Sequence, residues 1–362
     1  MPRAGSTLWE LAAGEVQSRE NGHGMVDGEE EKSAGGRERV VFFMGSKGGG
    51  KTTLILRFLE RDELPKSTLA LEYTFGRRAR GHSTPKDMAH FWELGGGTSL
   101  SDLVQIPVTA ENVRALAVVL LVDLSKPNSL WSTMEKLLQV TKTQVNKSLA
   151  ELAKMDTKGR AELGKQEFKP QLKDHPDREL IDVFPVPLLI IGSKYDIFQD
   201  FESEKRKMIC KTLRFVAHYH GASLAFSSTK TESLVSKTRV FLSHLAFGTD
   251  RGKCASTDHN KPLLISAGMD SLSQIGSPPS ADIGIGKMQA RSPVDLWKNA
   301  YEKMFPSENT SDSKDIRDPA RDPQYAEPEI DRMRALKNQE LEQYKRKAST
   351  TWKGVELESR RS

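Results

Sequence analysis

The chain has 362 residues, 37% of them hydrophobic and 28% charged, with 54 Lys and Arg against 49 Asp and Glu. That composition supplies one compact core with solvated tails and is poor for two well-packed domains. The interspersed charges argue against a dedicated nucleic-acid arm. The two cysteines stand outside any CxxC pair and suggest neither a disulfide framework nor a zinc site, and the longest apolar run, ALAVVLLV at Ala115–Val122, is too short to cross a bilayer.

Residues 1–37 are rich in Gly, Glu and Arg and read as a disordered leader. Residues 38–248 then alternate apolar runs with helical patterns, as in a parallel α/β sheet. VVFFMG is a buried strand, and KTTLILRFLE continues as a helix. TLALEYTFGRR and MAHFWELGG are two strands joined by the polar turn RARGHSTPKD. Leu116–Val122 is a central strand, followed by a helix and a polar insertion at about 140–183. VPLLIIGSKYD, the amphipathic helix Glu202–Tyr219, the strand ASLAFSST and the helix Leu234–Phe247 complete the unit. The order is that of a Ras-like phosphate-loop G domain, a mostly parallel sheet with helices on both faces. His218 and His220 flank Tyr219 near a helix end without an evident metal-ligand partner, and read as surface or cap positions.

Residues 249–362 read as an extended, partly helical C-terminal arm with a few apolar anchors, Leu263, Leu264, Ile265, Ile283 and Ile285. A helix near 292–306 carries its own start signals: Ser292 as N-cap, Pro293 in the first turn and Asp295 three after the cap. Val294, Trp297, Tyr301, Met304 and Phe305 share one face and are taken as partner-binding. Packing against the same chain's own domain is the other reading. On the partner reading, a chain cut after Gly248 still folds. A second helix near 328–347 has a thin stripe of Ile330, Met333, Leu336 and Leu341.

The chemistry sits in GSKGGGKTT. This is the loop G-x-x-x-x-G-K-T after a strand and opening a helix, the context in which backbone amides cradle phosphates. Gly45, Gly48, Gly49 and Gly50 give the loop its freedom, with Lys47 between them and Thr53 just after the motif. Lys51 would reach the β- and γ-phosphates. Thr52 would hold Mg²⁺, and Thr68 is the candidate switch hydroxyl on the same ion. The next station departs from the G-protein pattern D-x-x-G. Glu93 stands in place of Asp, and Gly97 stands where a water-positioning side chain belongs. Base recognition by N-K-x-D becomes Ser193-Lys194-Tyr195-Asp196, and the later S-A-K element becomes Ser228-Thr229-Lys230. Lys194, Asp196 and Ser228 thus favour a guanine nucleotide, GDP or GTP with Mg²⁺, and an empty pocket stays open as well. An ATPase with a deviant phosphate loop is the rival, although its signature Lys stands second in the loop and here it is third.

GSKGGGKTT, LEYTFGRR, FWELGGGTSL, LAVVLLVDLSKP, PLLIIGSKYDIF and the helical arm together resemble the light intermediate chains of cytoplasmic dynein, from about Val40 through the Trp297 helix. The resemblance implies a non-catalytic motor subunit with a degenerate G domain that hydrolyses GTP slowly or not at all. It also implies a cytoplasmic dynein heavy chain as partner, that of dynein 2 in particular, with other subunits of that motor. Intraflagellar transport particles would be reached indirectly, with no nucleic acid and no membrane insertion. Cytoplasm, cytoskeleton, cilium and basal body follow from the resemblance alone. A regulatory GTP switch remains the alternative.

Overall fold

A computed structural model describes residues 38–79, 86–155, 175–279, 292–307 and 327–359. The leader, most of the turn RARGHSTPKD, the middle of the insertion, and Ile283 and Ile285 lie outside the described residues.

The strands are β1 (Glu38–Gly45), β2 (Leu71–Arg78), β3 (Asp87–Leu94), β4 (Leu116–Asp123), β5 (Leu188–Ser193), β6 (Ser223–Phe226), β7 (Ala255–Ser256) and β8 (Leu264–Ile265). They form one sheet in the order β2-β3-β1-β4-β5-β6-β8-β7. Strands β3, β1, β4, β5 and β6 run parallel, and β2 is antiparallel to β3. The period of two sorts β1 and β4 cleanly. Phe42, Met44, Val118, Leu120 and Val122 enter one apolar cluster, while Val41, Phe43, Val119 and Leu121 enter the other. Every residue of β4 is buried, as expected of a central parallel strand covered on both faces.

Helices α1 (Lys51–Phe58) and α5 (Glu232–Phe247) cover the second cluster. Helices α2 (Pro127–Met155) and α4 (Ser203–Tyr219) cover the first. The single turns α3 (Tyr195–Phe198) and α6 (Leu272–Ile275), then α7 (Pro293–Met304) and α8 (Pro328–Ser359), complete the order.

Three expectations change. First, the helix after β4 runs unbroken to Met155. The start of the supposed insertion is therefore core helix, with Thr141, Val145 and Ser148 fully buried. Polar residues there find local partners: Ser148 Oγ donates to Val108 O at 3.2 Å, and Gln144 Nε2 to the same oxygen at 3.0 Å. A polar sequence thus hides a packed face.

Second, ASLAFSST is not the last strand. After α5 the chain returns to the sheet, and β8 pairs antiparallel with β6 through Leu224↔Ile265 and Ala225↔Leu264. Leu263 is fully buried. Arg214 on α4 donates two hydrogen bonds to the Asp270 carboxylate, at 2.8 and 2.7 Å, and both side chains are buried. This paired charge fixes the arm to the domain.

Third, the partner-binding stripe faces inward. Trp297, Tyr301 and Phe305 are buried, and Val294 and Met304 are partly buried against the same core. Trp297 stacks on Phe215 with ring centroids 5.0 Å apart, and the Tyr301 hydroxyl donates to Pro127 O at 2.9 Å. The α2 and α4 surfaces offer complementary rings, so self-packing removes this apolar area from water. The Ser292 cap does form: its Oγ accepts from the Asp295 amide at 3.1 Å. On α8, Ile330, Met333, Leu336, Leu341 and Tyr344 are exposed.

The corrected packing has a measurable consequence. Trp297→Ala is expected to destabilise the full chain by about 3–5 kcal/mol in urea unfolding. A chain ending at Gly248 loses β8 and α7 together and is expected to be insoluble. An unchanged midpoint for Trp297→Ala would contradict the inward packing.

Candidate functional site

The site forms at the carboxyl edge of the parallel strands, where three loops meet. The first follows β1. Gly45 has φ 146°, and a Cβ there would stand 1.9 Å from Leu121 O, so only glycine lets the loop leave β1 this close to β4. Ser46 N donates to that carbonyl at 2.9 Å. Lys47 and Gly48 are exposed at the crest, Gly49 is buried, and Gly50 is the N-cap of α1. Thr53 follows, half-buried in the first turn. Nothing lies within 4 Å of a Cβ built at Gly48 or Gly50. The crest is therefore open space bounded by amides and the amino end of a helix, which fits a polyphosphate.

Lys51 is buried, with Nζ donating to Ser46 O at 3.2 Å. Burial lowers its pKa, and the charge of Glu93 opposes the shift. The β1–β3 register sets Phe43 beside Glu93 and so brings Glu93 under the loop. Glu93 is buried. Burial raises its pKa against the pull of Lys51, Thr52 and Thr68. Thr52 Oγ1 donates to Glu93 Oε1 at 2.9 Å and lies 3.4 Å from Thr68 Oγ1, which in turn donates to Glu72 at 3.1 Å.

The hydroxyl suited to Mg²⁺ is thus engaged by a carboxylate that reaches it directly. A shorter Asp would leave room for an ion and its waters between the two groups. The residues fit a nucleotide's phosphates. Thr52 Oγ1 gives its proton to Glu93 and keeps its lone pairs for a cation, so the longer Glu93 side chain crowds the space for the ion's waters rather than removing the ligand. At Gly97, φ is 64° and an added Cβ would lie 3.3 Å from Lys47 N. The backbone is shaped against a side chain at the water-positioning place.

The second loop follows β5. Lys194 adopts a left-handed conformation, φ 60°, and its Nζ donates to Asp123 Oδ2 at 2.6 Å. Tyr195 begins α3, and Asp196 lies half-buried in that turn. The third loop, after β6, supplies Ser228. Its Oγ donates to Asp196 Oδ1 at 2.7 Å, and Lys230 lies 2.9 Å from Oδ2. The Ser228 and Lys230 bonds hold the Asp196 carboxyl below its usual range, so it stays ionised and oriented as an acceptor for paired N–H donors. Ser193 Oγ donates to Val122 O at 3.2 Å and braces β5 against β4. Lys194, Asp196 and Ser228 therefore lie together, and Lys51, Thr52, Thr68 and Glu93 form the neighbouring cluster.

Asp123 escaped the sequence reading. It ends β4, its side chain is wholly buried, and Oδ1 accepts from the Ser125 amide at 3.0 Å and hydroxyl at 2.6 Å. Its own amide donates to Ser46 Oγ at 3.2 Å. One residue thereby joins the phosphate loop to the base loop. The signal was present: LAVVLLVD is an unbroken apolar strand that stops on a carboxylate at the sheet's carboxyl edge. His218 was misread. It is buried, with Nε2 2.9 Å from Asp177 Oδ2, while His220 caps α4.

The fold and loops define a phosphate-loop G domain. Comparison with known proteins is specific. The chain belongs to the dynein light intermediate chain family, whose family model matches residues 27–175. It is 60% identical to "Cytoplasmic dynein 2 light intermediate chain 1" of Danio rerio, over 99% of this chain and 100% of that protein. It is 60% identical to the Homo sapiens protein of the same name, over 98% and 99%. A crystal structure of the dynein light intermediate chain's conserved domain aligns with 73% of this chain and 98% of its own, at TM-score 0.51 and 15% identity, a likeness of fold.

The two lysines at the base loop are expected to differ sharply. Lys194→Met strands the buried Asp123 carboxylate and should cost about 3 kcal/mol in urea unfolding. Lys230→Met removes an exposed partner of Asp196 and should cost under about 1 kcal/mol. Equal costs would contradict the assignment of Asp123 as the joining residue.

Proposed function

We propose that this chain is a non-catalytic accessory subunit of the cytoplasmic dynein 2 motor. It binds and stabilises the heavy chain and serves retrograde intraflagellar transport and cilium assembly, in the cytoplasm, at the basal body and along the cilium. The reading draws on the near full-length likeness to proteins carrying the dynein 2 light intermediate chain name. The single observation that carries its non-catalytic part is Gly97, whose φ of 64° and closeness to Lys47 N leave no side chain at the water-positioning place. Without a side chain at Gly97, nothing there orients an attacking water. A guanine nucleotide, where held, supplies charge and base contacts to Lys51 and Asp196 and acts as a fixed part of the fold.

A regulatory GTP switch draws on one observation, the approach of Thr68 to within 3.4 Å of Thr52, where a hydroxyl could sense a γ-phosphate. Purification of the tagged chain from ciliated cells separates the two readings. Heavy chain is expected at equal yield with GDP, with a non-hydrolysable GTP analogue and with no added nucleotide. A yield that follows the nucleotide supports the switch, and absence of heavy chain overturns the motor assignment.

The metal position gives a second prediction. Glu93→Asp shortens the side chain by one methylene and opens the gap to Thr52. Calorimetry with GDP should show Mg²⁺ improving affinity at least about tenfold in the variant, about 1.4 kcal/mol, and scarcely at all in the native chain. A strong Mg²⁺ effect in the native chain would refute the crowding by Glu93.

A further inference from the structure

A second polar cluster lies at the opposite, amino edge of the parallel strands, where α4 ends and β6 begins. His175, Asp177 and His218 each bring one donor atom to a common point, all within 4.8 Å of one another. His218 Nε2 is 2.9 Å from Asp177 Oδ2, and His175 Nδ1 is 3.8 Å from the same oxygen. The side chains are 11%, 12% and 1% exposed for His175, Asp177 and His218.

The protonation of His175 is set by its other nitrogen. Nε2 lies 2.9 Å from Asp270 O, a carbonyl that can only accept. Nε2 therefore carries the proton, and the Nδ1 lone pair accepts the Asp177 amide at 3.2 Å, a bond that an ion at Nδ1 replaces. A backbone carbonyl on the far nitrogen is how metal-ligating histidines are usually oriented. Asp177 Oδ2 also accepts from Leu272 N at 2.7 Å. Burial raises the Asp177 pKa, but the Leu272 and His218 bonds outweigh it and hold the carboxyl below its usual value. Arg214, one turn before His218 on α4, is paired with Asp270.

We propose that His175 Nδ1, Asp177 Oδ2 and His218 Nε2 bind a divalent zinc ion, with a water completing a tetrahedron. Two imidazoles and one carboxylate suit zinc and disfavour calcium or magnesium. Bonds of about 2.0–2.1 Å place tetrahedral ligands about 3.3 Å apart, and the present 2.9 and 3.8 Å spacings bracket that value. On binding, the Asp177 amide gives up His175 Nδ1, and the His218 proton moves from Nε2 to Nδ1, which frees the Nε2 lone pair for the ion. The site lies at the sheet edge opposite the phosphate loop, and its three side chains are almost wholly buried. Its role is structural: it pins the 175–177 turn, and through Leu272 the arm, to the end of α4. The cysteines gave no hint of it because the ligands are histidine and aspartate, from segments 41 residues apart.

The test uses the full chain, purified with a tag free of histidine, loaded with zinc and desalted. Elemental analysis is expected to find about one zinc per chain, and cobalt substitution a tetrahedral ligand-field band in the visible. His175→Ala and His218→Ala should retain less than about one tenth of that zinc. Asp177→Asn, which keeps the shape of the side chain, should lose it without unfolding. Chelation should lower the melting temperature of the native chain and leave that of Asp177→Asn unchanged. Absence of both retained zinc and a cobalt band in the native chain overturns the site, whether or not the alanine variants fold. Equal zinc in native and Asp177→Asn chains overturns it too.

Discussion

The carboxylate of Asp123 is the constraint around which the nucleotide face is organised. It lies at the end of the most buried strand with no solvent access, so every lone pair it keeps must be satisfied by protein. Ser125 satisfies one oxygen from within the loop, and Lys194 reaches the other from β5. That reach requires the left-handed backbone at Lys194, which in turn starts α3 and sets Asp196 where Ser228 can hold it. Through its amide the same residue holds Ser46 and hence the phosphate loop. The three loops are coupled by short polar bonds at the carboxyl edge of the sheet.

The same logic explains the altered chemistry next door. Lys51 and Glu93 are both buried and oppose one another's charge, and Thr52 donates into the pair. The loop's glycines and lysine match the G-protein motif, while Glu93 and Gly97 depart from it. The arm follows a related rule: the apolar face of α7 is spent on the domain, whereas the stripe of α8 stays exposed.

Much of this was legible in the residues. Strands β1, β4 and β5 announce themselves as unbroken apolar runs ending in polar or glycine loops, and the loop motif places its own helix. The base loop was read from Lys194, Asp196 and Ser228, and the Glu93 departure was visible as a substitution in a known station. The failures share a cause. Amphipathic periodicity says that a helix has an apolar face, and says nothing of what covers it, so α7 was aimed at a partner. Strand β8 is two residues long and carries no period. The far half of α2 buries Thr141 and Ser148, which count as polar in any pattern. His218 acquires its partner from across the chain, and pairing at such separation leaves no local trace.

The account turns on whether the phosphate loop acts as architecture. Lys51→Ala combined with Thr52→Asn removes the phosphate contact and the metal hydroxyl together. The direct measurement is density-gradient sedimentation of this variant from cells lacking the native chain, with the melting temperature of the purified variant measured alongside. Co-migration with the dynein 2 heavy chain at native stoichiometry is the predicted result. Loss of the variant from the heavy-chain peak, with its melting temperature unchanged, would show that nucleotide chemistry controls assembly and would contradict the account.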